Sequence, residues 1–305
     1  MQLGKYMKIP FGKYKGCDID ALASDLDYAK WMLEQDWVLQ KYPELFLEVK
    51  ELLQEEKEEK SKTSLDTSKN MLVSVALKSE KIEDYSQYPL SIPFLKNIDR
   101  LMLNPHVTFI IGENGSGKST LLEALAITQG FNPEGGTVNF NFSTKDSHSN
   151  LHEYLRISKT HKLPKNGFFL RAESFYNVAT AIENIGVVKS YGNKPLHQLS
   201  HGEAFLSLIQ NRFGSDGLYI LDEPEAALSP QRQMSVLILI DELVKMGSQF
   251  IISTHSPILL SYPNSTIYEI KKDKITKVDY EETETFAVTK DFLNNYKKML
   301  SILLK

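Results

Sequence analysis

Cysteine is almost missing from this sequence. Cys17 stands alone among 305 residues, so no disulfide can form within the chain, and a reducing, cytoplasmic setting is the expectation. An excess of positive charge is missing as well. Lys and Arg number 35 against 39 Asp and Glu, a formal charge of −4, so any contact with nucleic acid has to come from a local patch. No apolar run approaches membrane-spanning length; the best, residues 236–240, is closed by Asp241 and Glu242. The N-terminus carries no apolar signal core. The seven histidines are scattered, without a Cys/His spacing that suggests zinc, and no solenoid period is visible. The expectation is a chain without membrane insertion, long enough for one large α/β domain and a small companion.

Residues 112–120 read GENGSGKST and fit G-x-x-x-x-G-K-[ST], with Gly112, Gly117, Lys118 and Ser119 in the fixed places. Residues 107–111, β-branched and aromatic, predict a buried parallel strand before the loop; residues 121–126 are good helix formers after it. Strand, glycine loop and helix together point to a phosphate site. Glycines let the backbone wrap an anion, backbone N–H groups and the helix N-terminus supply positive ends, and Lys118 adds a point charge. Gly112, Glu113, Asn114, Gly115, Ser116, Gly117, Lys118, Ser119 and Thr120 are therefore the candidate ATP-binding residues.

Upstream, residues 1–60 read as a separate module. Gly12 and Gly16 among aromatic and basic residues predict a tight β-hairpin over 9–16, followed by helices over 25–36 and 43–53. Both tryptophans, Trp31 and Trp37, lie here, and a unit this small predicts them in its core. PFGKYKG followed by WMLEQDW resembles the small C-terminal module of exonuclease X-like proteins. The acidic catalytic domain of those proteins has no counterpart here, so the resemblance implies docking on nucleic acid or a partner rather than nuclease activity. Lys13 and Lys15 are the candidate contacts, with a solvated lysine pair on a hairpin edge as the alternative. Residues 61–70 form a charged linker, and residues 71–305 the second domain.

In that domain a strand is expected over 72–77, and Tyr85, Tyr88 and Phe94 are three aromatics ahead of the phosphate loop. Residues 132–142 read as a turn and an alternating strand. Residues 168–171 read as a buried strand that delivers Arg171 and Glu173 to its carboxyl end, where such sheets bind ligands. Residues 199–203, LSHGE, are locally a capping box, with Ser200 as cap and Glu203 returning the bond. Residues 217–223 are an apolar strand ending in two carboxylates. Asp222 is placed to hold Mg²⁺ opposite the Ser119 hydroxyl, and Glu223 to orient or deprotonate water attacking a γ-phosphate. Ser229 and Pro230 start a helix through about Lys245; the strand 249–253 ends in Thr254, His255 and Ser256, where the histidine can donate to that phosphate. A hairpin over 267–280 and a helix over 289–304 close the chain.

GENGSGKST, LSHGE, YILDEPEAALSP and STHSP, in that order, resemble the ABC-type ATPase superfamily, and within it the soluble RecF-like, SMC-like and OLD-like branch, most closely small bacterial stand-alone ATPases. The resemblance implies an α/β fold, a P-loop NTPase of ABC-ATPase type with a mixed or parallel sheet core and a helical signature-motif lobe, beside a small N-terminal α+β module. It implies ATP and Mg²⁺ as cofactors and a head-to-tail homodimer sandwiching two nucleotides. Ser200, His201, Gly202 and Glu203 of one copy would then face the phosphates held by the other. Catalytic roles fall to Lys118, Glu223 and His255, and metal binding to Ser119, Asp222 and Glu173.

Two departures matter. Glu173 stands nearest the place of the usual glutamine, and Ser229 stands where transporter ATPases usually carry aspartate. Both speak against a transporter subunit, which leaves as the expectation a switch ATPase acting with DNA or a nuclease partner in repair or phage defence. The alternatives are an energy-coupling transporter subunit and an ATP-binding scaffold that scarcely hydrolyses.

Overall fold

The computed structural model describes residues 8–33, 35–50, 70–138, 149–172, 180 and 199–304. The chain divides into two compact units, Met1–Leu65 and Asp66–Lys305.

In the first unit the expected hairpin is closed, among the described residues, by an antiparallel bridge from Lys8 to Asp18. Gly12 and Gly16 turn the chain at φ 71° and 88°, and a Cβ on Gly12 would lie 1.9 Å from the Tyr28 hydroxyl, so glycine is required there on both counts. The helix expected over 25–36 is two: α1 (Leu26–Leu33) and α2 (Asp36–Lys41), followed by α3 over residues 43–50. Gln35, extended at φ −94° and ψ 107°, breaks the phase between them. That break corrects the expectation for the tryptophans. Trp31 and Trp37 are 42% and 41% exposed, while Ile9, Leu22, Ala29, Met32, Leu45 and Val49 form the core. Trp37 lies edge-on to Phe11 at 4.6 Å and Trp31 beside Tyr28 at 5.2 Å, so the indoles flank other rings at the surface.

The second unit is built on two sheets. Among the described residues, β1 (Leu72–Leu77), β2 (Leu101–Met102) and β4 (Leu155–Lys159) form a small antiparallel sheet in the order β2-β1-β4. The main sheet contains β3 (Val107–Gly112), β5 (Asn166–Arg171), β6 (Gly217–Asp222), β7 (Gln249–Ser253), β8 (Thr266–Lys271) and β9 (Lys274–Val278), in the order β5-β6-β7-β3-β8-β9. All neighbours are parallel except β8 and β9, the hairpin expected at the end of the chain. Both faces are covered, which is why these strands read as unbroken apolar runs. Phe109, Tyr219 and Phe250 point into one core with α5 (His201–Arg212) and α6 (Pro230–Lys245). Ile110, Ile220 and Ile251 point into the other, with α4 (Lys118–Thr128) and the small sheet.

Buried Gln249 ties the two sheets together. Its Oε1 accepts from the N–H groups of Met71 and Leu72 at 3.0 and 2.9 Å, and its Nε2 donates to the carbonyls of Leu72 and Asn104 at 2.9 and 2.8 Å. An amide with its bonding capacity filled on both ends costs little to bury. The strand expected after residue 132 lies partly outside the described residues; within them, Gly136 makes one bridge to Phe169. After the short α7 (Pro257–Leu260), the last helix, α8 (Glu284–Leu303), begins five residues earlier than expected. Thr283 caps it by accepting the Phe286 N–H.

Candidate nucleotide site

Three neighbouring strands end at one place. β3 runs into the glycine loop, β6 ends in Asp222 and Glu223, and β7, paired to both, ends before Thr254 and His255. The Ser119 hydroxyl and Asp222 Oδ1 are 3.3 Å apart across residues far separated in sequence. Ser253 donates a second hydroxyl bond to the same Asp222 oxygen, a partner that the sequence reading did not single out.

The loop requires its glycines. Gly117 caps α4 at φ 99°, and a Cβ there would come within 2.7 Å of Ile92 and 3.0 Å of Phe94. Phe94 is thereby the buried floor of the loop, and Tyr85 is a partly buried ring under the Lys96 ammonium. Tyr88 differs from both: it is 67% exposed, with its hydroxyl 3.2 Å from Thr120 Oγ1. Lys118 is buried, and its ammonium donates to the carbonyls of Gly112 and Glu113 at 2.8 and 3.0 Å. Burial pushes its pKa down, against the pull of Glu223, Asp222 and Glu225. Ser116 Oγ is buried without a hydrogen-bond partner among the described residues. A cavity of about 750 Å³ opens beside Gly112–Ser116 and His255, and Lys271, Lys272 and Val288 line its other side.

Glu223 adopts a left-handed conformation, φ 53°, with its N–H on the Ser253 carbonyl at 3.1 Å. A non-glycine residue held this way is strained, and such positions cluster at working sites. His255 Nε2 stands 3.6 Å from the Glu223 carboxylate. The His255 backbone N–H donates to Glu225 Oε1 at 2.5 Å, and burial pushes the Glu225 pKa up. Glu225 was also missed, although a second acid in DEPE was its visible signal. Arg171 turns onto Glu123, at 2.8 Å, with its Nε 3.8 Å from Asp222. Glu173 lies outside the described residues.

The signature segment is built as the sequence predicts. Ser200 caps α5, and Glu203 Oε2 accepts from the Ser200 N–H at 3.0 Å. Hydrogen bonds from the Ser200 side chain and backbone hold the Glu203 carboxyl below its usual range, with Arg232 adding to them. Arg232, from the first turn of α6, reaches Ser200 Oγ and Glu203 Oε1, each at 3.3 Å. Neither residue type nor spacing announced this contact. His201 and Gly202 form the first turn of α5.

Residues 95–226 match the ABC transporter family, and residues 202–260 match an AAA ATPase domain. An energy-coupling factor transporter ATP-binding protein of Methanospirillum hungatei is 29% identical over 196 residues, 58% of this chain and 48% of that protein. The chain thus spans about half the length of that relative. A second such protein, from Methanosphaera stadtmanae, is 28% identical over 62% of this chain and 74% of its own length. A cobalt import ATP-binding protein of Salmonella typhimurium is 25% identical over 60% and 74%. Among solved structures, the SMC head domain from Thermotoga maritima superposes with a TM-score of 0.40 at 17% identity, covering 68% of this chain and 99% of that one.

These findings overturn the expectation of a nucleic-acid, nuclease or defence role, because the relatives are named as transporter and import ATP-binding proteins. In the first unit, Lys13 is paired with Asp25 at 2.9 Å and Lys15 is exposed beside it. Ser229 is no mark against the transporter type either. Its Oγ caps α6 through the Arg232 N–H, work that an aspartate performs equally well. Among the described residues, no helix is long and apolar enough to cross a membrane. The match to the ABC transporter family over residues 95–226, the glycine loop at the end of β3 and the sheet order around it give the second unit an α/β P-loop fold.

Proposed function

We propose that the chain is the energy-coupling ATPase of a transporter-type assembly, working as an ATP-bound homodimer beside a membrane component carried on another chain. The relatives' names support the coupling role, and one geometric observation supports the chemistry. Ser119, Asp222, Glu223 and His255 converge at the mouth of a glycine loop. Loop N–H groups, the α4 N-terminus and Lys118 bind the phosphates. Tyr88, the exposed ring beside Thr120, is the surface for adenine to stack on.

Mg²⁺ fits the donors. Ser119 Oγ and Asp222 Oδ1 are oxygens within 3.3 Å of each other, and the described residues offer no cluster of three or more metal-binding side chains. That suits an ion which takes one or two protein oxygens and completes its shell with phosphate and water. When bound, it neutralises charge on the β- and γ-phosphate oxygens. Glu173 is a further candidate for its shell.

Glu223 accepts the proton of the attacking water, and His255 Nε2 donates to a γ-phosphate oxygen while facing the Glu223 carboxylate. Ser200 and Gly202, at the N-terminus of α5, contact the same phosphate from the second copy, so one patch carries both a capping box and a trans contact. The N-terminal unit, resembling an exonuclease X-like C-terminal module, is read as an accessory docking module for a partner protein.

Glu223→Gln keeps the shape of the base but not its basicity. With Mg-ATP this variant should accumulate as a dimer by light scattering, with turnover reduced by at least about a hundredfold, the scale of a lost general base. A variant that stays monomeric in saturating ATP would end the sandwich mechanism. Turnover stimulated by DNA, without any co-purifying membrane protein, would overturn the coupling role.

A further inference from the structure

Glu123 is a carboxylate in an otherwise apolar stretch of α4. It lies between Leu122 and Ala124, only 8% exposed among buried neighbours. A charge so placed is costly unless it is paired, and both of its oxygens have partners. Oε1 accepts the Ser149 N–H at 3.0 Å, and Oε2 accepts from Arg171 Nη1 at 2.8 Å. Neither Glu123 nor Arg171 has a part in the phosphate chemistry above.

The fold nevertheless puts both beside the candidate metal ligands. Glu123 follows Ser119 by four residues, so the two side chains leave α4 on one face, a turn apart. Arg171 and Asp222 are register partners at the ends of β5 and β6, so their side chains leave the sheet on one face. Arg171 therefore stands between two carboxylates and is bonded to one of them. Its Nε is 3.8 Å from Asp222 Oδ2, too long for a hydrogen bond, while Asp222 Oδ1 takes the Ser119 and Ser253 hydroxyls. A guanidinium is a planar fork that fits a carboxylate with two parallel bonds. Docked on Asp222, it would cancel the negative charge that a divalent cation needs. The Arg171 and Asp222 side chains are 22% and 7% exposed, so solvent does little to screen that attraction. We propose that Glu123 is a positioning residue that holds the Arg171 guanidinium off Asp222 and so keeps this carboxylate open to Mg²⁺. The proposal rests on the Mg²⁺ reading above. Without the Glu123 charge, the guanidinium closes the remaining gap and takes the place of the ion.

The test uses the full-length chain, in excess over a non-hydrolysable ATP analogue, with free Mn²⁺ read by electron paramagnetic resonance. Glu123→Gln keeps an amide oxygen for the Ser149 N–H but has no charge to hold Arg171. It should bind Mn²⁺ roughly tenfold more weakly, the scale on which the partners of metal ligands act. Adding Arg171→Met removes the competing cation, and the double variant should recover the parental constant or exceed it. That recovery is the decisive readout, because a purely structural Glu123 is not rescued by the loss of its partner as well. Affinity for a fluorescent ATP analogue in EDTA should match the parent in both variants. A loss of that affinity in step with Mn²⁺ binding overturns the inference. So does a single variant with the parental Mn²⁺ constant, or a double variant as weak as the single one. Asp222→Asn tests the metal reading separately: if it binds Mn²⁺ as the parent does, the ion is not held at Asp222 and both readings fall.

Discussion

At the phosphate loop, Lys118, Asp222, Ser253 and Thr254 are buried, and the polar groups there answer one another across three strands and a helix. At the start of α5, Ser200, Glu203 and Arg232 hold one another at the surface with contacts of 3.3 Å. In the proposed dimer these two regions are halves of one site. The first is held by buried side chains and hydrogen bonds within its own chain. The second is a helix end held by a capping box and a solvent-exposed ion pair, which solvent screens. The difference suits the proposed division of work, in which one half binds the nucleotide and the other is presented to a second copy.

Lys118→Ala is the severest way to break the first half. It removes the buried ammonium and leaves the acidic pair Asp222 and Glu223 facing the phosphates without it. ATP affinity should fall roughly a hundredfold, from the loss of charged hydrogen bonds at ~1.5–3 kcal/mol, as read by titration with a fluorescent nucleotide. Unchanged affinity would sink the assignment of the loop. Ser200→Ala tests the second half. It deletes a cap and costs about 1 kcal/mol of stability, which thermal unfolding can resolve. ATP affinity of the monomer should be unchanged, while ATP-induced dimerisation weakens several-fold. If Ser200→Ala weakens nucleotide binding by the isolated chain instead, the two halves do not divide the work as argued.

The same contrast decides what could be read from the sequence. β3, β5, β6 and β7 were legible because both faces of the sheet are covered, which writes each strand as an apolar run with its polar residues at the carboxyl end. The capping box was legible because its partners are three residues apart. Contacts made by tertiary proximity left no such trace. Arg232 reaches Glu203 across 29 residues, and Glu225 reaches the His255 backbone across 30. The first unit misled for a related reason. One helix over 25–36 in a small unit predicts both tryptophans in the core, but the break at Gln35 puts Trp31 and Trp37 on different helices, and both indoles remain at the surface. The early start of α8 turned on one threonine cap within a polar stretch.

Glu225→Gln sharpens the comparison by its smallest consequence. Gln keeps an oxygen for the His255 N–H, so turnover should change little if Glu225 only fixes that backbone. Stability against pH separates the charge from the shape. Burial holds the Glu225 pKa above its ordinary 4.5, so between that value and the raised one the folded chain binds more protons than the unfolded chain. Stability contributed at this position therefore falls as pH rises from about 4.5 through the folded pKa, and lies below the neutral variant above it. Denaturant unfolding of the two proteins side by side should show the variant gaining on the parent across that window and holding its lead at higher pH. A difference that stays flat with pH would mean that solvent reaches the carboxylate, and that the buried half of the site is wetter at Glu225 than at Asp222.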